Sequence, residues 1–225
     1  MGFVTDFADQ AVVLPLFVAV AVTLLLMGWK RGALAWVLAV AGTLGAVLVL
    51  KIVMDACYWM LPPELPSNPS GHTAAAAVAY GGLLAILGRR SGYRIPLLLL
   101  GVLAVAVVVG TTRVALGVHS VADVIAATLV GGLGGLALLW LAGPPPANLR
   151  LSVLAGVALV VALLFHGTRM NAEEAIWRFA GLYPWPLGVC RPTAELAPVS
   201  PAHIDAGLGW IVTAGRYAME NSAVH

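Results

Sequence analysis

Charge is what this sequence has least of. Asp, Glu, Lys and Arg supply 10% of its 225 residues and hydrophobic side chains 61%, whereas soluble domains are roughly one quarter charged. That balance excludes an ordinary water-solvated globule and makes lipid the expected solvent. The net charge of +2 is small and scattered. With no Lys/Arg-rich tract and no basic patch interleaved with aromatics, a nucleic-acid partner is excluded too. Cysteine is almost missing: Cys57 and Cys190 are too few for a disulfide framework or a zinc site and can form one bridge at most. Internal repeats are lacking. So are the basic start and small-residue cleavage site of a secretory signal, since Met1–Gln10 carries Asp6 and Asp9 instead. The first apolar run is therefore expected to be a retained span.

What is there is a succession of apolar runs: Ala11–Gly28, Ala33–Leu50, Thr73–Gly88, Ile95–Gly110, Val121–Gly143 and Leu151–Phe165. A spanning helix needs about 20 residues, about 17 at the lower end, so the shorter runs must borrow from their flanks. The second is expected to continue past Lys51 toward Met60, the fourth past Arg113 toward Val118. Six spans is the simplest count, giving an all-α polytopic membrane helical bundle over residues 1–166 and an extramembrane tail over 167–225. Gly131 and Gly135 in the fifth run would let helices approach closely.

Lys30 and Arg31 follow the first run, Arg89, Arg90 and Arg94 the third, and Arg150 the fifth. The positive-inside rule makes that side cytoplasmic, so the connections after the second and fourth runs, and both termini, face outward. The tail is rich in Pro, Trp and Tyr and its charges nearly cancel. Short helices are expected at Asn171–Leu182 and from Ser200-Pro201 to about Met219. The second has an apolar face suited to a membrane interface or to the outside of the bundle. The Ala-, Val- and Leu-rich, Lys-poor composition leans toward a bacterial inner membrane.

Polar residues collect where the outward connections meet the spans. Lys51 lies near the outer end of the second, Pro69-Ser70-Gly71-His72 opens the third, Arg113 lies near the outer end of the fourth, and His119 and Asp123 open the fifth. At four residues apart, His119 and Asp123 are expected to share a helix face. Taken singly, each has a structural explanation: cations snorkel from helix ends, Ser70 is a helix cap, and His119 and Asp123 make an ordinary pair. Together they put two histidines, a carboxylate, two cations and two helix starts at one depth. Such a set suits phosphoryl transfer. Cations and helix N–H groups hold the equatorial oxygens, one histidine attacks while a carboxylate holds its other ring nitrogen, and the second histidine handles the leaving-group proton. One carboxylate with two phosphate-directed histidines leaves too few ligands for a metal cage, so no metal or other cofactor is expected.

These residues resemble the phosphatidic acid phosphatase type 2 superfamily, which also includes vanadium haloperoxidases. Its pattern is Lys-x6-Arg-Pro, then Pro-Ser-Gly-His, then Ser-Arg-x5-His-x3-Asp. The sequence has Pro69-Ser70-Gly71-His72 intact, and Thr112-Arg113 with His119 and Asp123 at the family spacing, Thr standing for Ser. The resemblance implies His119 as nucleophile, Asp123 as its orienting partner and His72 as general acid. Lys51, Ser70, Gly71 and Arg113 would bind phosphate. The first motif departs: Tyr58 and Trp59 stand where the family has Arg-Pro. A Cys57–Cys190 bridge across an oxidising outer face would bring Arg191 toward that position as a replacement. Two unpaired cysteines are the simpler alternative.

The expected function is hydrolysis of a lipid-linked phosphomonoester or diphosphate through a phosphohistidine, with lipid phosphate and membrane lipid as partners. A lipid phosphotransferase using the same site, a non-catalytic membrane scaffold and a transporter are the alternatives. A soluble haloperoxidase does not fit the composition.

Overall fold

The computed structural model describes residues 2–56, 66, 68–88 and 93–170. Tyr58, both cysteines, Arg191 and the two tail helices expected from sequence lie outside them, as do Arg89 and Arg90.

Seven helices are described: α1 Gly2–Asp6, α2 Gln10–Leu26, α3 Lys30–Ala56, α4 Gly71–Leu87, α5 Arg94–Ala115, α6 Val121–Leu141 and α7 Leu151–Phe165. There is no strand among the described residues. The chain is thus an all-α polytopic bundle of the membrane type. Four stretches, Gly2–Leu26, Lys30–Met54, Arg94–Ala115 and Val121–Leu141, are long and apolar enough to cross a membrane; α4 and α7 are apolar but shorter. The second and fourth runs extend as their flanks suggested, to Ala56 and Ala115. Helix α1 is an addition. Asp9 caps α2 by accepting the Ala11 N–H at 2.8 Å, so Gly2–Asp6 becomes a separate short helix.

Helix α6 packs against α3, α4 and α5, while α2 lies between α3 and α7. The sequence of α6 explains its position. A Cβ on Gly131 would come within 2.7 Å of the Ala74 carbonyl oxygen and 2.6 Å of the Ala77 Cβ, both on α4. On Gly134 it would collide with Thr43 of α3, and on Gly135 with Leu98 of α5. Glycines three and four residues apart let three neighbours pack closely on α6, the form of packing that helices use where the apolar surroundings give no hydrophobic drive. Polar ties add to it. Trp36 of α3 donates its indole N–H to the Phe17 carbonyl of α2 at 3.0 Å, and the Tyr80 hydroxyl of α4 donates to the Phe7 carbonyl at 2.7 Å. Both α4 and α5 contain one π-helical turn, Ala77–Gly81 and Ala106–Gly110.

Gly131→Ala should therefore destabilise the detergent-solubilised protein by about 1–3 kcal/mol through overpacking. Gly156→Ala on α7, where the new Cβ meets nothing within 4 Å, should be neutral or slightly stabilising. Thermal melts of the two variants beside wild type check both.

Candidate active site

The connection from α5 to α6 is fixed by its caps. Helix α5 ends in a Schellman motif: the Gly117 N–H donates to the Val114 carbonyl at 2.9 Å and the Val118 N–H to the Arg113 carbonyl at 3.3 Å. Gly117 takes the left-handed φ of +69° that this ending requires. Helix α6 begins with a capping box. Ser120 Oγ accepts the Asp123 N–H at 3.1 Å, while Asp123 Oδ2 accepts the Ser120 N–H at 2.9 Å and its hydroxyl at 2.8 Å. His119 is the single residue between the two motifs, and it is buried.

That corrects the idea that His119 and Asp123 share a helix face. His119 precedes the helix, because Ser120 is its N-cap and Asp123 its third residue. Their spacing is that of a capping box with one residue before it.

Asn68, immediately before Pro69-Ser70, joins the parts. Its side-chain oxygen accepts the Lys51 ammonium at 2.7 Å, its N–H donates to Asp123 Oδ1 at 2.8 Å, and its carbonyl lies 3.0 Å from His119 Nδ1. A ring nitrogen facing a carbonyl acts as the donor, so this contact favours the Nδ1–H tautomer and leaves the lone pair of neutral His119 on Nε2. The ring nitrogen assigned from sequence to the Asp123 carboxylate thus faces the Asn68 carbonyl. Asp123 and His119 are both held by the main chain of Asn68, one at its N–H and the other at its carbonyl.

Ser70 caps α4, its Oγ accepting the Thr73 N–H at 3.3 Å and the Thr73 hydroxyl at 3.0 Å. Its own N–H reaches the Asp123 carbonyl at 3.4 Å, which sets the starts of α4 and α6 side by side. A Cβ on Gly71 would stand 3.8 Å from Lys51 Cε, so the lysine stem crosses beside the first residue of α4. Lys51, Ser70 and Asp123 are buried.

His72 follows on the first turn of α4. Its Nε2 lies 3.4 Å from Asp9 Oδ2, and both side chains are mostly buried. Asp9 Oδ1 accepts the Ala11 N–H at 2.8 Å and the Met170 N–H at 3.0 Å. Further ties hold the N-terminal segment: Thr5 Oγ1 donates to Thr112 Oγ1 at 3.0 Å, and Arg169 Nε to Asp6 Oδ1 at 3.0 Å.

The structure thus gathers Lys51, Ser70, Gly71, His119 and Asp123 about Asn68. His72 stands one residue beyond Gly71, and Arg113 is tied to the His119 connection through its main-chain carbonyl. Arg191 and Tyr58 are outside the described residues. Asn68, Asp9 and Ser120 were not singled out from sequence. Only Ser120 carried a local signal, the Ser-x-x-Asp cap signature; Asn68 and Asp9 find their partners across long stretches of chain.

If Asn68 holds Lys51, a double-mutant cycle of Asn68→Ala and Lys51→Met, read by denaturation in detergent, should give a coupling of about 1.5–3 kcal/mol, the range for hydrogen bonds to charged groups. Additive losses would mean that the contact carries no energy.

The family model of the PAP2 superfamily matches residues 13–144, more than half of the chain. The match spans Lys51, Asn68, Ser70, Gly71, His72, Arg113, His119, Ser120 and Asp123, and leaves out Asp9, Ala11, Met170, Arg191 and the N-terminal ties. No curated protein and no solved structure gives a match.

Proposed function

The chain belongs to the PAP2 superfamily, and on that premise we propose that it is an integral membrane phosphatase that hydrolyses a lipid-linked phosphomonoester or diphosphate through a phosphohistidine on His119, without metal. The observation that carries the reading is the set of hydrogen bonds around Asn68. They join a cation, an imidazole with a defined tautomer and a carboxylate, from separate parts of the chain, at neighbouring helix starts.

In this mechanism the lone pair on His119 Nε2 attacks phosphorus in line with the leaving oxygen. The positive charge that develops on the ring is shared through Nδ1–H with the Asn68 carbonyl, while Asp123 accepts the Asn68 N–H of the preceding peptide group and so holds that residue in place. Lys51 and Arg113 stabilise the equatorial oxygens. As the P–O bond breaks, His72 gives its proton to the leaving oxygen. It then takes one from the water that attacks the phosphohistidine, releasing phosphate and restoring His119.

An apolar groove of about 500 Å³ supports a lipid substrate. It runs between α5 and α6 and is lined by Val107, Thr111, Val114, Val121 and Ile125. Its upper end lies next in sequence to Arg113 and Ser120, so a hydrocarbon chain seated there would place a headgroup toward the site. The distribution of Lys30, Arg31, Arg94 and Arg150 supports a site on the outer face of the membrane, and the Ala-, Val- and Leu-rich, Lys-poor composition supports a bacterial inner membrane.

Purified protein is expected to release phosphate from lipid monophosphates or diphosphates with EDTA present, and His119→Ala to lower the rate at least about 10³-fold. Wild type quenched during turnover should carry acid-labile, base-stable phosphate that His119→Ala lacks. No release from a panel covering both classes would overturn the reading, and transfer of phosphate to a second lipid would make the chain a phosphotransferase.

A further inference from the structure

We propose that Asp9, at the start of the first span, is the positioning residue of His72: it orients the ring and stabilises its protonated form, so that His72 can donate to the leaving group. The inference rests on the reading of His72 as the proton donor, and extends the site to a residue outside both the family match and the motifs.

A buried carboxylate at the membrane end of a helix is costly and calls for a specific reason. Capping α2 accounts for one oxygen of Asp9. Oδ1 takes the Ala11 N–H, as the cap of α2, and the Met170 N–H as well. Any residue with a suitable acceptor can cap a helix, and Ser or Asn does so as well as Asp. Oδ2 is left over from that task, and it faces His72 Nε2 at 3.4 Å, with the two side chains 10% and 14% exposed. The cap therefore explains an acceptor at position 9 but leaves the second oxygen and its charge to His72.

The orientation assigns the two ring nitrogens. With Nε2–H directed at the carboxylate, Nδ1 is the nitrogen that exchanges a proton with the reaction. When the leaving oxygen departs, it takes the Nδ1 proton, and His72 becomes neutral while keeping Nε2–H on Asp9. When water attacks the phosphohistidine, Nδ1 takes its proton back. Asp9 stays ionised throughout. It holds the tautomer and stabilises the imidazolium, as the carboxylate of a Ser-His-Asp triad does.

The N-terminal segment is braced for this task. Thr5 bonds to Thr112, the residue before Arg113. The Phe7 carbonyl takes the Tyr80 hydroxyl, and Asp6 pairs with Arg169. These ties fix Asp9 relative to α4 and α5, so the ring of His72 is met by a carboxylate with little freedom.

Two substitutions separate this role from capping. Asp9→Asn keeps the acceptor and the shape but removes the charge; Asp9→Ser keeps a good cap but is too short to reach His72. Each is assayed on dioleoyl phosphatidate, whose alkoxide leaving group needs a proton, and on p-nitrophenyl phosphate, whose phenolate does not. The readout is kcat/KM, which covers the steps through departure of the leaving group. Both variants should lose about 10–10²-fold on phosphatidate and less than about 3-fold on p-nitrophenyl phosphate. His72→Ala should show the same selectivity, and adding Asp9→Asn to it should cost nothing more.

Equal losses on both substrates, no loss on phosphatidate, or losses additive with His72→Ala would overturn the role of Asp9 and leave the phosphatase reading standing. A wild type that hydrolyses neither these two substrates nor any lipid monophosphate or diphosphate of the panel would overturn both. Melting temperatures within a few degrees of wild type are expected for the two cap-preserving variants.

Discussion

A residue has one main-chain donor and one main-chain acceptor, and at Asn68 both are spent on candidate site side chains. The N–H goes to Asp123, the carbonyl to His119, and the side-chain amide oxygen to Lys51. At the edge of a bilayer, where water is scarce, each of these groups would be expensive without a partner. Asn68 satisfies contacts for all three from one short segment directly before the cap of α4. The rest of the site depends on that segment being held. The Ser70 N–H on the Asp123 carbonyl and the Ser70 cap on α4 are what hold it.

The nucleophile candidate is fixed by a different device. A Schellman ending and a capping box stand either side of His119, with no further residue in between. The spacing from Arg113 to Asp123 is then a statement about helix endings: Arg113 supplies the third carbonyl from the end of α5, and Asp123 the third position of α6. A residue inserted within 113–118 or 120–123 would break one cap or the other, and one inserted beside His119 would displace its ring from both. The spacing of such a motif can thus be demanded by backbone hydrogen bonding as much as by the chemistry of the side chains.

Much of the fold could be read from the sequence because apolar runs of spanning length have few other interpretations. All six runs are helices, and the glycines at 131 and 135 lie at close helix contacts. Local signals were misread where two structures share one spacing. His119 and Asp123 at four residues apart fit a helix face, and they equally fit a cap box preceded by one residue; Ser120 decides between them. Contacts distant in sequence could not be read at all. Nothing local marks Asn68, and Asp9 reads as one acidic residue among the first ten, because Lys51, His119 and Asp123 lie 17 to 55 residues from Asn68 and His72 lies 63 from Asp9. The substitution of Arg-Pro by Tyr58-Trp59, and the part of Arg191, lie outside the described residues.

Gly131 lies eight residues into the membrane from Asp123, about 12 Å along the α6 axis. It touches Ala74, which is four residues from Ser70. The crossing of α4 and α6 therefore acts as a fulcrum, with the Ser70–Asp123 contact on its short outer arm. A shift of a few tenths of an ångström at the crossing would be passed to the helix starts, where a 3.4 Å hydrogen bond has little tolerance to absorb it. The fidelity of the polar end is thus set in the apolar interior, by the missing methyl group of one glycine.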